Sequence, residues 1–106
     1  MTLQDVVIVD KLLRKQSMAA RDVDLVELNE AFAAQAVAVM RDAKLEPERV
    51  NPNGGAIAFG HAVGATGAIL TVKTMHELER RQAEYGLVTM CIGGGQGIAA
   101  LFQNAG

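Results

Sequence analysis

His61 and Cys91 are the side chains of this sequence best suited to chemistry, and both stand beside glycine-rich segments. His61 lies between Gly60 and Gly64 in the stretch from Asn51 to Ala68, which holds five of the chain's 11 glycines. Glycine admits positive φ and close backbone approach, so such a loop can hold an imidazole rigidly just before it enters a helix. The plainer reading is a glycine-rich turn with a solvated histidine on it. Cys91 is the only cysteine and closes an apolar run. It is either an inert small hydrophobe or a thiol with a task. Asn29 separates a strand-like segment from a helix-like one, where asparagine is a preferred N-cap. His76 falls in the polar half of a later helix and reads as a solvated surface residue.

The elements that must position these residues follow from periodicity. Residues 5–16 place Val6, Val9, Leu12 and Leu13 at helical spacing, an amphipathic helix packed by one face. Residues 22–28 alternate polar and apolar types, a short strand with Val23, Leu25 or Val26 inward. Residues 30–40 are strong helix formers with Gln35 the only polar side chain after Glu30, so this helix must be covered on several sides. Pro47 ends the charged turn that follows, and Val50 and Asn51 form a very short strand before the histidine loop. Residues 65–82 read as a second long helix, with Ile69, Leu70, Val72, Met75 and Leu78 inward and Lys73, Glu77, Glu79, Arg80 and Arg81 outward. Residues 86–92 are an almost continuous apolar strand of the kind buried on both faces, and 98–103 return antiparallel to it after a turn at 93–97.

A chain of 106 residues is at most one small domain. With 50% apolar and 21% charged residues and a net charge of −2, its composition is that of a globular protein. No basic block interleaved with aromatics argues for nucleic acid, and no apolar run approaches the roughly 18 residues a membrane span needs. No signal peptide is visible, and a single cysteine permits no internal disulfide, which suits a cytoplasmic setting. The glycines at 93–97 lead from strand to strand instead of opening a helix, so they fail as a dinucleotide fingerprint. The order helix, strand, helix, loop, helix, strand, strand implies an α/β layer with a mixed sheet.

Three motifs stand in sequence: Asn29-Glu-Ala-Phe-Ala33, Asn53-Gly-Gly-Ala-Ile-Ala-Phe-Gly-His-Ala-Val-Gly-Ala-Thr-Gly-Ala68 and Cys91-Ile-Gly-Gly-Gly-Gln-Gly97. Together, over about residues 22–103, they closely resemble the C-terminal half of a thiolase, the acyl-CoA acetyltransferase family. Residues 1–21 match more loosely, as that half's preceding amphipathic helix. Ketoacyl synthases share a glycine-flanked histidine loop, without being expected to carry the other two signatures. The resemblance implies an α/β, thiolase-like layered fold, with residues 1–106 forming a single incomplete C-terminal domain with a mixed sheet and crossover helices. It implies Claisen condensation or thiolytic cleavage of acyl-CoA thioesters, with acyl-CoA and CoA as substrates and no cofactor or metal. His61 resembles the histidine that activates the nucleophile and donates to a thioester oxygen. Cys91 resembles the cysteine that moves the substrate's α-proton. Asn29 resembles the asparagine whose bound water, with the histidine, forms an oxyanion hole for the enolate, and the Gly93 N–H resembles a donor of the second oxyanion hole.

The sequence departs from the family at Ala62, where proline usually follows the histidine, so φ there is not fixed by a ring. The nucleophilic cysteine of the family belongs to the N-terminal half and has no counterpart here. Two readings follow. One is the C-terminal part of a thiolase, inactive without an N-terminal half to supply the attacking cysteine. The other is a catalytically dead remnant or interaction module with the same fold. Either predicts a partner, a thiolase N-terminal half or a second copy, since the apolar helix at 30–40 exceeds what a thin layer can cover. The resemblance also places a strand before residue 1 at the sheet's centre, so that its neighbours from the histidine loop and the hairpin would flank a gap.

Overall fold

The computed structural model describes residues 4–62, 64–93 and 96–105, with residues 4, 5, 92 and 93 described by backbone alone. Val63 of the histidine motif and Gly94 and Gly95 of the hairpin turn lie outside these residues. The elements are α1 (Gln4–Lys15), β1 (Leu25–Leu28), α2 (Ala33–Asp42), α3 (Ala56–Phe59), α4 (Thr66–Arg81), β2 (Tyr85–Gly93) and β3 (Gln96–Gln103). The α/β class and the element order expected from periodicity both hold, and the short α3 inside the histidine loop is an addition.

The sheet runs β1-β2-β3, with β1 parallel to β2 and β2 antiparallel to β3. Leu25 stands opposite Gly86 and Leu28 opposite Thr89, and Tyr85 stands opposite Gln103. On the other edge of β1, Val50 bridges Val26 in parallel and Asn51 N donates to Val26 O at 2.8 Å. No gap separates the histidine-loop strand from the hairpin: β1 itself lies between them. That corrects the expected arrangement, and the reason is that Leu28 and Val26 use the backbone groups not engaged by β2 to bond the loop.

Alternation along the strands sorts the packing into two faces. Val26, Leu28 and Leu87 join Val9 and Leu13 of α1 and Ala36 and Val39 of α2 in one buried cluster, with Ala99 and Leu101 of β3 at its margin. On the opposite face, Leu25, Glu27, Gly86 and Val88 lie under α4. Helices on both faces explain why all of β1 is buried, where an alternating, half-buried strand was expected. The strand is also shorter than residues 22–28, because Ala20–Asp22 forms a 3₁₀ turn and the Asp24 carboxylate accepts the Glu84 and Tyr85 N–H groups at 3.0 Å each.

α2 begins three residues later than its composition suggested, with Phe32 at the N-cap position, so Asn29 is not the cap. Phe32 and Val37 remain 67% and 46% exposed, leaving one side of this apolar helix uncovered. α4 departs further from expectation. Its buried residues are Thr66, Leu70, Thr74, Glu77 and Leu78, while Ile69, Val72 and Met75 face outward at 45%, 53% and 57% exposure. Glu77, read as a solvated charge, is an interior residue.

α4 sits hard against β2. A Cβ at Gly86 would stand 2.5 Å from Thr74 Cγ2 and 3.0 Å from Leu78 Cδ1. Thr74 cannot swing aside cheaply, because its hydroxyl donates to Leu70 O at 2.8 Å and its χ1 is stiff. Gly86→Ala is therefore expected to push α4 off the sheet and cost about 1–3 kcal/mol, as overpacked sites do. Urea unfolding measures it, and an unchanged midpoint would refute the close contact.

Candidate active site

β1 and α4 converge on a small polar site. Asn29 continues β1 by one residue, its N–H donating to Thr89 O at 3.0 Å. By alternation its side chain falls on the α4 side, as Leu25 and Glu27 do. There it is 2% exposed, and neither the oxygen nor the nitrogen of its amide finds a partner among the described residues. Buried amides are ordinarily bonded, so this one is a feature that needs a reason. It opens on a cavity of about 20 Å³ bounded also by Gly60, Thr66, Leu70 and Lys73. That is room for about one water molecule.

His61 is held by its neighbours in sequence. Gly60 has φ 94° and ψ 158°, a conformation open essentially to glycine alone. It turns the chain out of α3 and aims His61. Nδ1 of the ring lies 2.8 Å from Thr66 Oγ1, and the threonine hydroxyl donates to Ala62 O at 2.7 Å. Two oxygens so close require the hydroxyl proton between them. Nδ1 must then carry its own proton and donate to Thr66, which leaves Nε2 as the free lone pair of the neutral ring. The imidazole is exposed, so Nε2 is open to a reactant. Thr66 is a residue that sequence reasoning passed over, since it reads as an ordinary first-turn threonine.

Asn29 and the anchor of His61 thus share one cavity. Cys91 is half-buried near the end of β2, and its thiol makes no hydrogen bond among the described residues. Its predecessor Met90 meets the first turn of α4, the sulfur being 3.7 Å from where a Cβ on Gly67 would stand. Alternation therefore puts Met90 toward α4, and a bulge between Cys91 and Gly93 breaks the pattern just beyond. Gly93 ends β2 opposite Gln96. His76 is exposed, as its position suggested.

Carboxylates fasten the loop from beneath. Glu77, with a side chain 2% exposed, accepts from Asn53 Nδ2 at 2.9 Å, pairs with the Arg80 guanidinium and lies 3.3 Å from Arg81 Nε. The Arg80 and Asn53 hydrogen bonds hold its pKa at about 2, against the ordinary 4.5. Burial acts oppositely on Glu27 and raises its pKa, with Lys73 offsetting and the Glu77 and Glu30 charges reinforcing the rise. Glu30 Oε1 accepts the Ile57 N–H at 3.3 Å. Among the described residues no cluster of three or more His, Cys, Asp or Glu could hold a metal ion, and no helix is long and apolar enough to cross a membrane.

Comparison with known proteins places this arrangement. Residues 1–104 match the model of the thiolase C-terminal domain, and the chain belongs to the thiolase family. It is 58% identical over 91 residues to the beta-ketothiolase BktB of Cupriavidus necator, covering 86% of this chain and 23% of that protein. Against the 3-ketoacyl-CoA thiolase of Bacillus subtilis the identity is 48% over 95 residues, 90% of this chain and 24% of the relative. The crystal structure of human mitochondrial 3-ketoacyl-CoA thiolase in complex with CoA superposes with a TM-score of 0.95 at 44% identity, over 98% of this chain and 26% of that one. The layered fold expected from the motifs is thus the fold observed. The chain spans about a quarter of the length of the relatives it matches.

Two outcomes test the site's geometry. Because the pKa of Glu77 is depressed on folding, its stabilisation is present above about pH 4.5 and is lost as the pH falls toward about 2. Glu77→Gln is expected to flatten this part of the urea-midpoint profile, and a profile parallel to that of the parent would contradict the assignment. Thr66→Val removes the acceptor of His61 Nδ1–H, so the imidazole ¹⁵N shifts should move from one tautomer to a mixture. Unchanged shifts would refute the tautomer argument.

Proposed function

We propose that residues 1–106 form a single, incomplete thiolase C-terminal domain that supplies the acid/base and oxyanion groups of a thiolase active site, and that an N-terminal half supplies the attacking cysteine. The observation that carries this reading is the buried amide of Asn29, without a partner among the described residues, which opens on a water-sized cavity beside the hydroxyl that holds His61. An asparagine kept in that state destabilises the fold and gains a purpose if it orients a water toward a developing oxyanion.

In the condensation direction, Cys91 as thiolate takes the α-proton of an acyl-CoA and becomes a thiol. The resulting enolate oxygen is stabilised by the Asn29-bound water and by His61 Nε2, donating when the ring is protonated. The enolate carbon attacks the acetyl thioester on the partner half's cysteine, whose oxyanion is met by the Gly93 N–H, and the partner's thiolate leaves. In the cleavage direction the same groups run in reverse, with CoA as the acceptor of the acyl group. Ala62 in place of the family's proline leaves this constellation its hydrogen bonds, since the position contributes through its carbonyl.

The uncovered apolar surface supports a partner. Ile57 and Phe59 of α3 are 65% and 70% exposed, beside the outward row Ile69, Val72 and Met75 of α4. A thiolase N-terminal half, whose own layer would sandwich these helices, is the proposed occupant. The chain alone is expected to show no acetoacetyl-CoA cleavage, and the chain co-expressed with a thiolase N-terminal half is expected to turn over. His61→Ala should lower kcat of that assembly by about 10²–10⁴-fold, the usual contribution of an acid/base group. Light scattering on the same samples distinguishes a heteromer from a pair of identical chains. Robust turnover by the lone chain, or an intact heteromer without activity, would overturn the reading.

A further inference from the structure

One lysine joins the strand of Asn29 to the loop of His61. Lys73 projects from the second turn of α4, and its Nζ donates to Gly54 O at 2.7 Å, stands 3.1 Å from Glu27 Oε1 and lies 5.0 Å from the centre of the Phe59 ring. Those three groups come from three segments. Glu27 belongs to β1, two residues before Asn29 and on the same face. Gly54 opens the histidine loop, and Phe59 ends α3 immediately before Gly60 and His61.

The arrangement is more than an ion pair that stabilises a core. Glu27 is 1% exposed, and a buried carboxylate is costly to desolvate. Lys73 is its compensating cation, yet Glu27 Oε1 receives no aligned hydrogen bond from it. The aligned bond goes to the loop carbonyl, and the ring of Phe59 takes the ammonium's flank. The charge of Glu27 thus holds the lysine in place while the lysine's donors draw in the loop. The other carboxylates nearby are differently engaged, Glu77 with Asn53, Arg80 and Arg81, and Glu30 with the Ile57 N–H. The same lysine also lines the Asn29 cavity.

We infer that Lys73 is a positioning residue: by clamping Gly54 and Phe59 to Glu27, it sets the separation between His61 and the water site of Asn29. The inference deepens the proposed function and rests on the oxyanion role given there to Asn29 and His61. Misplacing such groups by about 1 Å can cost on the order of 10²-fold in rate while leaving substrate affinity intact.

The test compares Lys73→Arg, Lys73→Met and the double variant Glu27→Gln/Lys73→Met, in which no charge is left buried. In an assembly with a thiolase N-terminal half, the two methionine variants are expected to lose about 10- to 100-fold in kcat at unchanged KM for CoA, with Lys73→Arg recovering most of it. A merely structural pair would not give this split, since the double variant should fold with an unfolding midpoint near that of the parent. On the 106-residue chain itself, hydrogen exchange at Ala58, Phe59 and Gly60, whose N–H groups close α3, should accelerate at least about tenfold in both methionine variants. A folded double variant with parental kcat, or with parental exchange at those amides, overturns the clamp. If the parental assembly shows no turnover, the functional reading fails and the exchange comparison alone decides whether Lys73 fixes the loop.

Discussion

The structure depends on how the outer edge of β1 is closed. A strand covered on both faces cannot leave its backbone donors and acceptors unmet, and β2 satisfies only one side. On the other side the side chain of Asn51 stands in for a neighbouring strand. Its Oδ1 accepts the Leu28 N–H at 2.8 Å, and its Nδ2 donates to Leu28 O at 2.8 Å, the paired contact a peptide group would make. Asn51 takes φ 48° to do this, a left-handed conformation that asparagine tolerates better than most residues. The histidine loop is thereby hung from the residue that immediately precedes Asn29. Leu28 and Asn51, 23 positions apart in sequence, are thus joined by one amide.

Beyond that joint the interior of the α4 face is unusually polar. Glu27, Asn29, Thr66, Thr74 and Glu77 are all buried there, while the face toward α1 and α2 is lined mainly by valine, leucine and alanine, with Thr89 and Gln35 as its buried polar residues. Burying three titratable or amide groups under one helix lowers stability, and two of the three have visible partners. Glu77 is offset by two arginines and Asn53, and Glu27 by Lys73. The amide of Asn29 has no partner among the described residues and faces a water-sized cavity instead. The division of labour is physical: one face holds the fold together, and the other holds a loop in register with a strand.

Much of this was legible in the residues. Chemistry-bearing positions stood out because glycine, histidine, asparagine and a lone cysteine occur in runs that no amphipathic pattern requires. The helix α1 followed from periodicity, and the strands β2 and β3 from an apolar run and the glycine-rich turn after it. What periodicity misjudged was α4. Leu70 and Leu78 are inward as expected, but the rule that apolar stripes face the core also put Ile69, Val72 and Met75 inside, where they are exposed. The rule assumes that a helix has one covered side. Here the sheet claims the face bearing Thr74 and Glu77, because Gly86 admits Thr74 closely and Asn53 and Glu27 supply partners for Glu77 and Lys73. Those partners lie 24 and 46 positions away, beyond the reach of any local pattern. Thr66 was missed for a similar reason, since its tie to His61 depends on Gly60 reversing the chain.

Without a proline, the residue after His61 is held by the same local geometry. Proline after the histidine would restrain φ by a ring; Ala62 is restrained through its carbonyl instead. That oxygen accepts from Ala65 N at 3.2 Å, Thr66 N at 3.1 Å and Thr66 Oγ1 at 2.7 Å. The threonine also accepts from His61, so the imidazole, the carbonyl beside it and the start of α4 form one closed set of bonds spanning six residues. Any rotation of Ala62 that freed the loop would have to break the hydroxyl bond that selects the histidine tautomer. Loop order and imidazole chemistry are therefore not independent properties here. The hydroxyl that holds the backbone is the one that leaves Nε2 of the neutral ring unprotonated.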